Sequence, residues 1–392
     1  MSGSFYLAWR YLVYHRVKTV ILTTSITLII FLPVGLRVLV RQSQNQLTAR
    51  ANVTPLLVGA RGSPLELVLN SLYFESEVPA TTSFDAVRRI NTTGYALPIP
   101  LYVRFKARGH PIVGTTLDYF AFRQLRIASG RNLRILGDAV LGDRVARELG
   151  VGPGASVISS PESVFNIAGT YPLRMRVVGV LEPTDSPDDF AIFVDVKTTW
   201  VIEGIVHGHQ DLSGSDAAGQ ILLRDSTNVV ANAAVVQYQE ITGDNLRSFH
   251  FHGDESAYPI TAVIAVPQDQ RSEALLRGRF ESPDEGLQIV RPVDVLDELL
   301  EIVLTVETFV IAAVAVVGLS TLATAVLVFM LSLRLRRREI ETMRKIGGAR
   351  WSIGAVMTSE VAAVLVAGVT MAAILTGLTS RFGSDIIRAV VL

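Results

Sequence analysis

Residues 333–354, LRLRRREIETMRKIGGARWSIG, form a basic segment caught between two long apolar runs, with seven Arg and Lys against two Glu. Basic residues beside membrane spans are retained on the cytoplasmic face, so this segment orients both runs that flank it. Thr308–Leu333, Val361–Ser380 and Thr19–Leu36 contain no charged residue. A hydrocarbon core about 30 Å thick takes about 20 apolar residues at helical rise. Each run therefore predicts a spanning helix, and the chain reads as an integral α-helical protein of the cell (inner) membrane.

Apolar residues make up 49% of the chain, and the mean hydropathy of +0.39 is high for a soluble protein. The 36 Lys and Arg cancel the 36 Asp and Glu, so no global field argues for a nucleic-acid partner. Without cysteine there are no disulfides, thiolate metal sites or cysteine nucleophiles.

Arg10, Arg16 and Lys18 precede the first run, as they would in a secretory signal. That run is longer than a signal core, carries Pro33 and lacks an A-x-A-like cleavage site, which favours an uncleaved anchor. The expected order is a cytoplasmic N-terminus (1–16), a first span (17–40), an extracytoplasmic domain (41–300) and a second span (301–333). A cytoplasmic segment (334–354), a third span (355–379) and a short outer tail (380–392) follow. Asp294, Asp297, Glu298 and Glu301 ahead of the second span agree with an outer position, whereas Arg37, Arg41 and Arg50 count mildly against it.

The outer domain reads as α+β. Strand-like runs recur at 101–107, 175–182, 190–196, 219–225 and 258–266. Helical patterns lie at 83–90 and 139–150, the latter ended by Gly150, and 207–218 and 243–256 read as long polar loops.

One N-terminal span, a large outer domain and a later span followed by RRREIETMRKIGGARWSI together resemble the FtsX-like permeases of MacB-type ABC transporters. The passages VGARGSPLELVLNSLYF (58–74), ASGRNLRILGDAVLGDRVARELGVGPGASV (128–157) and MRVVGVLEPTDSPDDFAIFVDV (175–196) look like the outer domain of that family. The resemblance implies a non-catalytic permease subunit that pairs with a second copy, as a homodimer, and with a separate ABC ATP-binding subunit. Such a subunit is a mechanical transmitter that reshapes its outer domain without passing substrate through its own helices. No G-x-x-x-x-G-K-[ST] is present, so this chain does not cradle a nucleotide phosphate in the usual way; no cofactor is expected on the chain itself, and ATP is met through the partner subunit.

Arg337, Arg338, Glu339, Ile340, Met343, Arg344, Ile346 and Gly347 are then the candidate ATPase-coupling residues. Arg337 and Glu341 stand at i, i+4, while Ile340, Met343 and Ile346 share a side through i+3 spacing. Gly347 and Gly348 permit the positive φ that ends a helix, and Trp351 lies where an interfacial aromatic anchors the next span. The competing reading is an ordinary positive-inside loop on anionic lipid.

In the last span, Ala363 and Ala367, Gly368 and Ala372, and Ala373 and Gly377 repeat at four-residue spacing. That pattern suits close helix packing in lipid, although it also describes any Ala-rich apolar helix. Glu307 and Glu360 mark span ends and read as interfacial rather than as a buried proton relay.

His207, His209, His250 and His252 form two H-x-H pairs that could bind zinc or copper, His250 and His252 with Asp254 or Glu255, or could be solvated loop residues. Catalytic motifs are missing, and Asp188 and Asp189 read as a solvated turn.

The family pattern has four spans, whereas SRFGSDIIRAVVL follows the third span here. Either truncation or a last helix at the outer surface would account for it. The function expected is a permease of an export or mechanotransmission complex acting on a cell-envelope substrate, with a periplasmic adaptor or cargo outside. The alternatives are an FtsX-like regulator of a cell-wall hydrolase and a membrane-anchored sensor without an ATPase.

Overall fold

The computed structural model describes residues 2–75, 77–160, 172–208, 221–224, 229–231, 238–281, 286–335, 337–345, 347 and 349–391. It opens with α1 (Ser2–Tyr14) and α2 (Arg16–Asn52). The outer part runs β1 (Leu56–Ala60), α3 (Pro64–Tyr73), β2 (Thr82–Ser83), α4 (Asp85–Thr93), β3 (Ala96–Ala107), β4 (His110–Thr115), α5 (Leu117–Phe122) and β5 (Ile127–Gly130). β6 (Asp138–Leu141), α6 (Asp143–Leu149), β7 (Ser156–Ile158), β8 (Arg174–Leu181), β9 (Ile192–Asp195) and α7 (Val196–Glu203) follow. Next come β10 (His207–Gly208), β11 (Ile221–Arg224), β12 (Val229–Ala231), β13 (Phe249–His250), β14 (Pro259–Ile260), β15 (Ala262–Pro267), α8 (Gln270–Phe280) and β16 (Leu287–Val290). Last are α9 (Pro292–Leu335), α10 (Arg337–Lys345) and α11 (Arg350–Val391).

These elements form two compact units, one of residues Met1–Ala49 with Asp297–Leu392 and one of residues Arg50–Leu296. In the first, Arg16–Gln42, Pro292–Val328 and Gly354–Phe382 are long and apolar enough to span a bilayer. Large apolar side chains such as Phe309 (72% exposed), Leu319 and Val366 point outward, as a lipid-facing helix requires. The N-terminal residues form the helix α1, packed on α11. Residues 380–391 continue α11, where a separate tail was expected.

The second unit is built on a mixed sheet ordered β16–β1–β15–β3–β4–β9–β6–β8–β5, with β7 beside β8. β4 runs parallel to β9 and β6 parallel to β8, and the other sheet pairings are antiparallel. β3 joins the two halves, pairing with β15 over Ala96–Leu101 and with β4 from Tyr102 onward. That handover lets it carry Pro98 and Pro100, which cannot donate to a ladder.

Leu56, Val58, Tyr102, Ile192, Val194 and Trp200 lie in the core, with Trp200 stacked edge-on to Phe84 and Tyr258 at 5.4 and 5.0 Å. Its indole Nε1 donates to the Pro259 carbonyl at 2.8 Å, which satisfies the polar end of a buried ring.

The 139–150 pattern is not a single helix. Its apolar start, Ala139–Leu141, belongs to β6, Gly142 turns the chain, and only Asp143–Leu149 is helical. A short apolar run before a turn fits a buried strand as well as a helix. Gly150 does close the helix, at φ 64°.

Candidate functional site

In the membrane unit the basic segment folds as α10, closed by Gly347 at φ 91°. Arg337 Nε approaches Glu341 Oε1 to 3.7 Å on the exposed surface. Arg338 and Arg344 are exposed and Ile340 is half-buried. Glu339 and Met343 take helical positions in α10. Ile346 and Gly348 fall outside the described residues. Trp351 is 88% exposed at the start of α11.

Of the small residues in α11, Gly368 and Ala372 are buried while Ala367, Ala373 and Gly377 are exposed and Ala363 is half-buried. Thr27 Oγ1 of α2 donates to the Gly368 carbonyl at 3.2 Å. A Cβ on Gly368 would meet Ile26 Cγ2 at 2.7 Å, so the close approach of α2 and α11 depends on this glycine. Glu307 and Glu360 are 8% and 4% exposed. Arg37 Nε stands 3.9 Å from Glu307 Oε1, and Glu360 lines a pocket with Tyr11, His15 and Lys18.

The outer unit holds a charged cluster that local sequence patterns do not reveal. Arg50, in the last turn of α2, donates from Nη1 to Asp188 Oδ2 at 2.6 Å and from Nη2 to Asp188 Oδ1 at 2.9 Å. Tyr119 donates its hydroxyl to Asp188 Oδ1 at 2.7 Å and accepts from Arg50 Nη2 at 2.5 Å. All three side chains are buried. Arg50 also lies over the Phe74 ring at 5.3 Å.

Asp188 and Asp189 are therefore not a solvated turn. Ser186 and Pro187 start a short 3-10 helix, and its carbonyls lie so close to Gly142 that a Cβ there would fall 2.3 Å from the Asp188 oxygen. Asp189 accepts from the Thr184 amide at 2.9 Å and hydroxyl at 2.8 Å.

Burial alone would push the Asp188 carboxyl up, but the charge and hydrogen bonds of Arg50, with the Tyr119 hydroxyl, hold it below the usual carboxylate range. Burial pushes Tyr119 above its ordinary value, and Tyr73 up to about 12 against the pull of Arg50 and Arg123. Both phenols therefore stay neutral, and Tyr119 keeps the proton that it donates to Asp188. With its opposite charges paired on one another and closed off from solvent, the cluster is a structural clamp.

The histidines fall differently from the expected loops. β10 pairs with β13, and His207 stands opposite His250. His252 joins them, while His209 lies outside the described residues. Asp254 instead caps Ser256, accepting from its amide at 2.9 Å, and Glu255 accepts from Lys197 Nζ at 3.0 Å. Neither carboxylate completes a site with His250 and His252.

Compared with known proteins, residues 19–241 match a family model described as the MacB-like periplasmic core domain. Among solved structures, the periplasmic region of MacB from Actinobacillus actinomycetemcomitans is 12% identical, aligning 63% of this chain with 92% of that one at a TM-score of 0.36. The extracellular domain of the noncanonic ABC-type transporter YknZ from Gram-positive bacteria is 12% identical, over 60% of this chain and 98% of that one, at a TM-score of 0.31. No curated protein matches.

Proposed function

The chain belongs to the MacB-like periplasmic core domain family, and from that premise we propose that it is the permease subunit of an ABC-type export or mechanotransmission complex. In this reading a separate cytosolic subunit hydrolyses ATP, two copies of the chain assemble in the cell (inner) membrane, and the outer unit moves to act on a cell-envelope substrate. The N-terminus and α10 lie on the cytoplasmic face. A periplasmic adaptor or the cargo meets the outer unit.

One observation carries the reading: a family match that runs from the first apolar helix into the outer unit, in a chain whose next two apolar helices are joined by a short basic helix. Helix α10 supplies an apolar position, Ile340, within a rim of exposed Arg337, Arg338 and Arg344. Met343 and Ile346 extend that apolar side by spacing. A short amphipathic helix of this kind is the form that docks in a groove, its apolar residues anchoring and its charges steering. A basic amphipathic helix can also lie on anionic lipid with its apolar side in the interface, and recovery of an ATP-binding subunit separates the two.

The test is affinity purification of the full chain from native membranes in mild detergent, beside a variant carrying Ile340→Asp, Met343→Asp and Ile346→Asp. An ATP-binding subunit is expected with the parent and at least tenfold less of it with an equally inserted variant. Recovery of no ATPase with the parent, or undiminished recovery with the variant, would overturn the proposal.

A further inference from the structure

We infer that His207, His250 and His252 form a zinc-binding site on the outer unit. The first two come from different stretches of chain and are brought together by the β10–β13 pairing. The third lies two residues beyond β13. Each offers a ring nitrogen, and these atoms all lie within 4.8 Å of one another. The ring centroids are separated by 5.0, 4.8 and 4.6 Å. Nitrogens bound tetrahedrally at about 2.0–2.1 Å from zinc stand roughly 3.4 Å apart, so side-chain rotation of about an ångström closes the set.

Surrounding bonds already orient two of the ligands. His250 Nδ1 lies 3.0 Å from the Ser248 carbonyl. A carbonyl can only accept, so Nδ1 carries the proton and Nε2 presents its lone pair, the arrangement that outer-sphere partners impose on metal-binding imidazoles. Tyr258 donates its hydroxyl to the His252 carbonyl at 2.7 Å, and its ring packs on the buried Trp200. The backbone that carries His252 is thereby tied to the core. His207 and His250 are half-buried and His252 is exposed, so an ion can reach the set from the His252 side.

Imidazole donors suit zinc, copper and nickel. Three neutral imidazole nitrogens are the protein donors of three-histidine zinc centres. The metal would clip the β10–β13 ribbon to the segment that packs against Trp200. This proposal does not depend on the permease reading.

The experiment uses the untagged full-length chain in detergent, stripped by a chelator and titrated with Co²⁺ and then with Zn²⁺. One equivalent of Co²⁺ per chain should give the strong visible bands of tetrahedral cobalt, and Zn²⁺ should bleach them. His207→Gln, His250→Gln and His252→Gln should each weaken Zn²⁺ binding at least tenfold. His110→Gln, whose imidazole faces Glu148 at 3.7 Å elsewhere, should leave it unchanged. A second readout needs no variant: Zn²⁺ should protect these three histidines of the parent from diethylpyrocarbonate, mapped by mass spectrometry. Absence of the cobalt bands, affinity unchanged in folded variants, or protection confined to other residues would overturn the site.

Discussion

Asp188 and Arg50 illustrate how much a single buried pair can control. The two are far apart in sequence, yet they form a bidentate pair with both side chains under 7% exposed. Removing one partner leaves the other charge buried and uncompensated, which typically costs about 3–5 kcal/mol. Asp188→Asn and Arg50→Met should each destabilise the outer unit by that order, whereas the double replacement should cost less than the sum. Denaturant unfolding followed by Trp200 fluorescence, with Trp9 and Trp351 changed to Phe, reads the outer unit directly.

Acid should act through the same residues. Asp188 is held below the usual range by Arg50 and Tyr119 against the opposing effect of burial. Asp138 is held down, again against burial, by hydrogen bonds from Arg131, the Ile135 and Arg134 amides and Arg176. Because both folded values lie below the unfolded one of about 3.9, the unfolded chain takes up these protons first. Their contribution is complete above that value and is lost as pH falls through the folded values. The unfolding midpoint should fall steeply below about pH 4, and Asp188→Asn should flatten the slope; an unchanged slope would exclude Asp188 as a source.

At the scale of elements, the contact between α2 and α11 turns on Gly368. Gly368→Leu should lower the melting temperature of the detergent-solubilised chain by several degrees, because the side chain meets Ile26 where even a Cβ has no room. Gly377→Leu, at a position with no neighbouring atom within 4 Å, should leave it unchanged. Equal melting temperatures for the two would show that the approach does not depend on Gly368.

The three spans were legible because an uncharged run of that length is hard to place anywhere but in a bilayer. The strands 101–107 and 175–182 were legible from their β-branched and apolar runs, and the end of α6 from Gly150. The four-residue spacing in α11 marked Gly368 without distinguishing it from Gly377, since spacing does not say which side a neighbour occupies. The Arg50–Asp188 pair was not legible. Each residue sits in a local sequence that reads as surface, and only the tertiary fold brings Tyr119 and the Ser186–Phe190 turn around Arg50. The sequence shows the histidines as H-x-H pairs, but His250 stands opposite His207 across a ribbon, and register between distant two-residue strands leaves no periodic trace.

For the whole molecule, the permease reading joins a membrane unit to an outer unit of the MacB-like periplasmic core domain family, with motion of the outer unit driven by ATP bound elsewhere. The chain has no cysteine, so a single introduced one gives an unambiguous label. Ala274→Cys on α8 is exposed and lies in the outer unit. The most direct measurement is the spin-label distance between Ala274→Cys positions of two copies, in nanodiscs with the co-purified ATP-binding subunit, with and without a non-hydrolysable ATP analogue. A mechanical transmitter should show a nucleotide-dependent shift in that distance distribution, abolished by the Ile340→Asp, Met343→Asp and Ile346→Asp variant. The same distribution with and without nucleotide, while the ATPase stays bound, would contradict it.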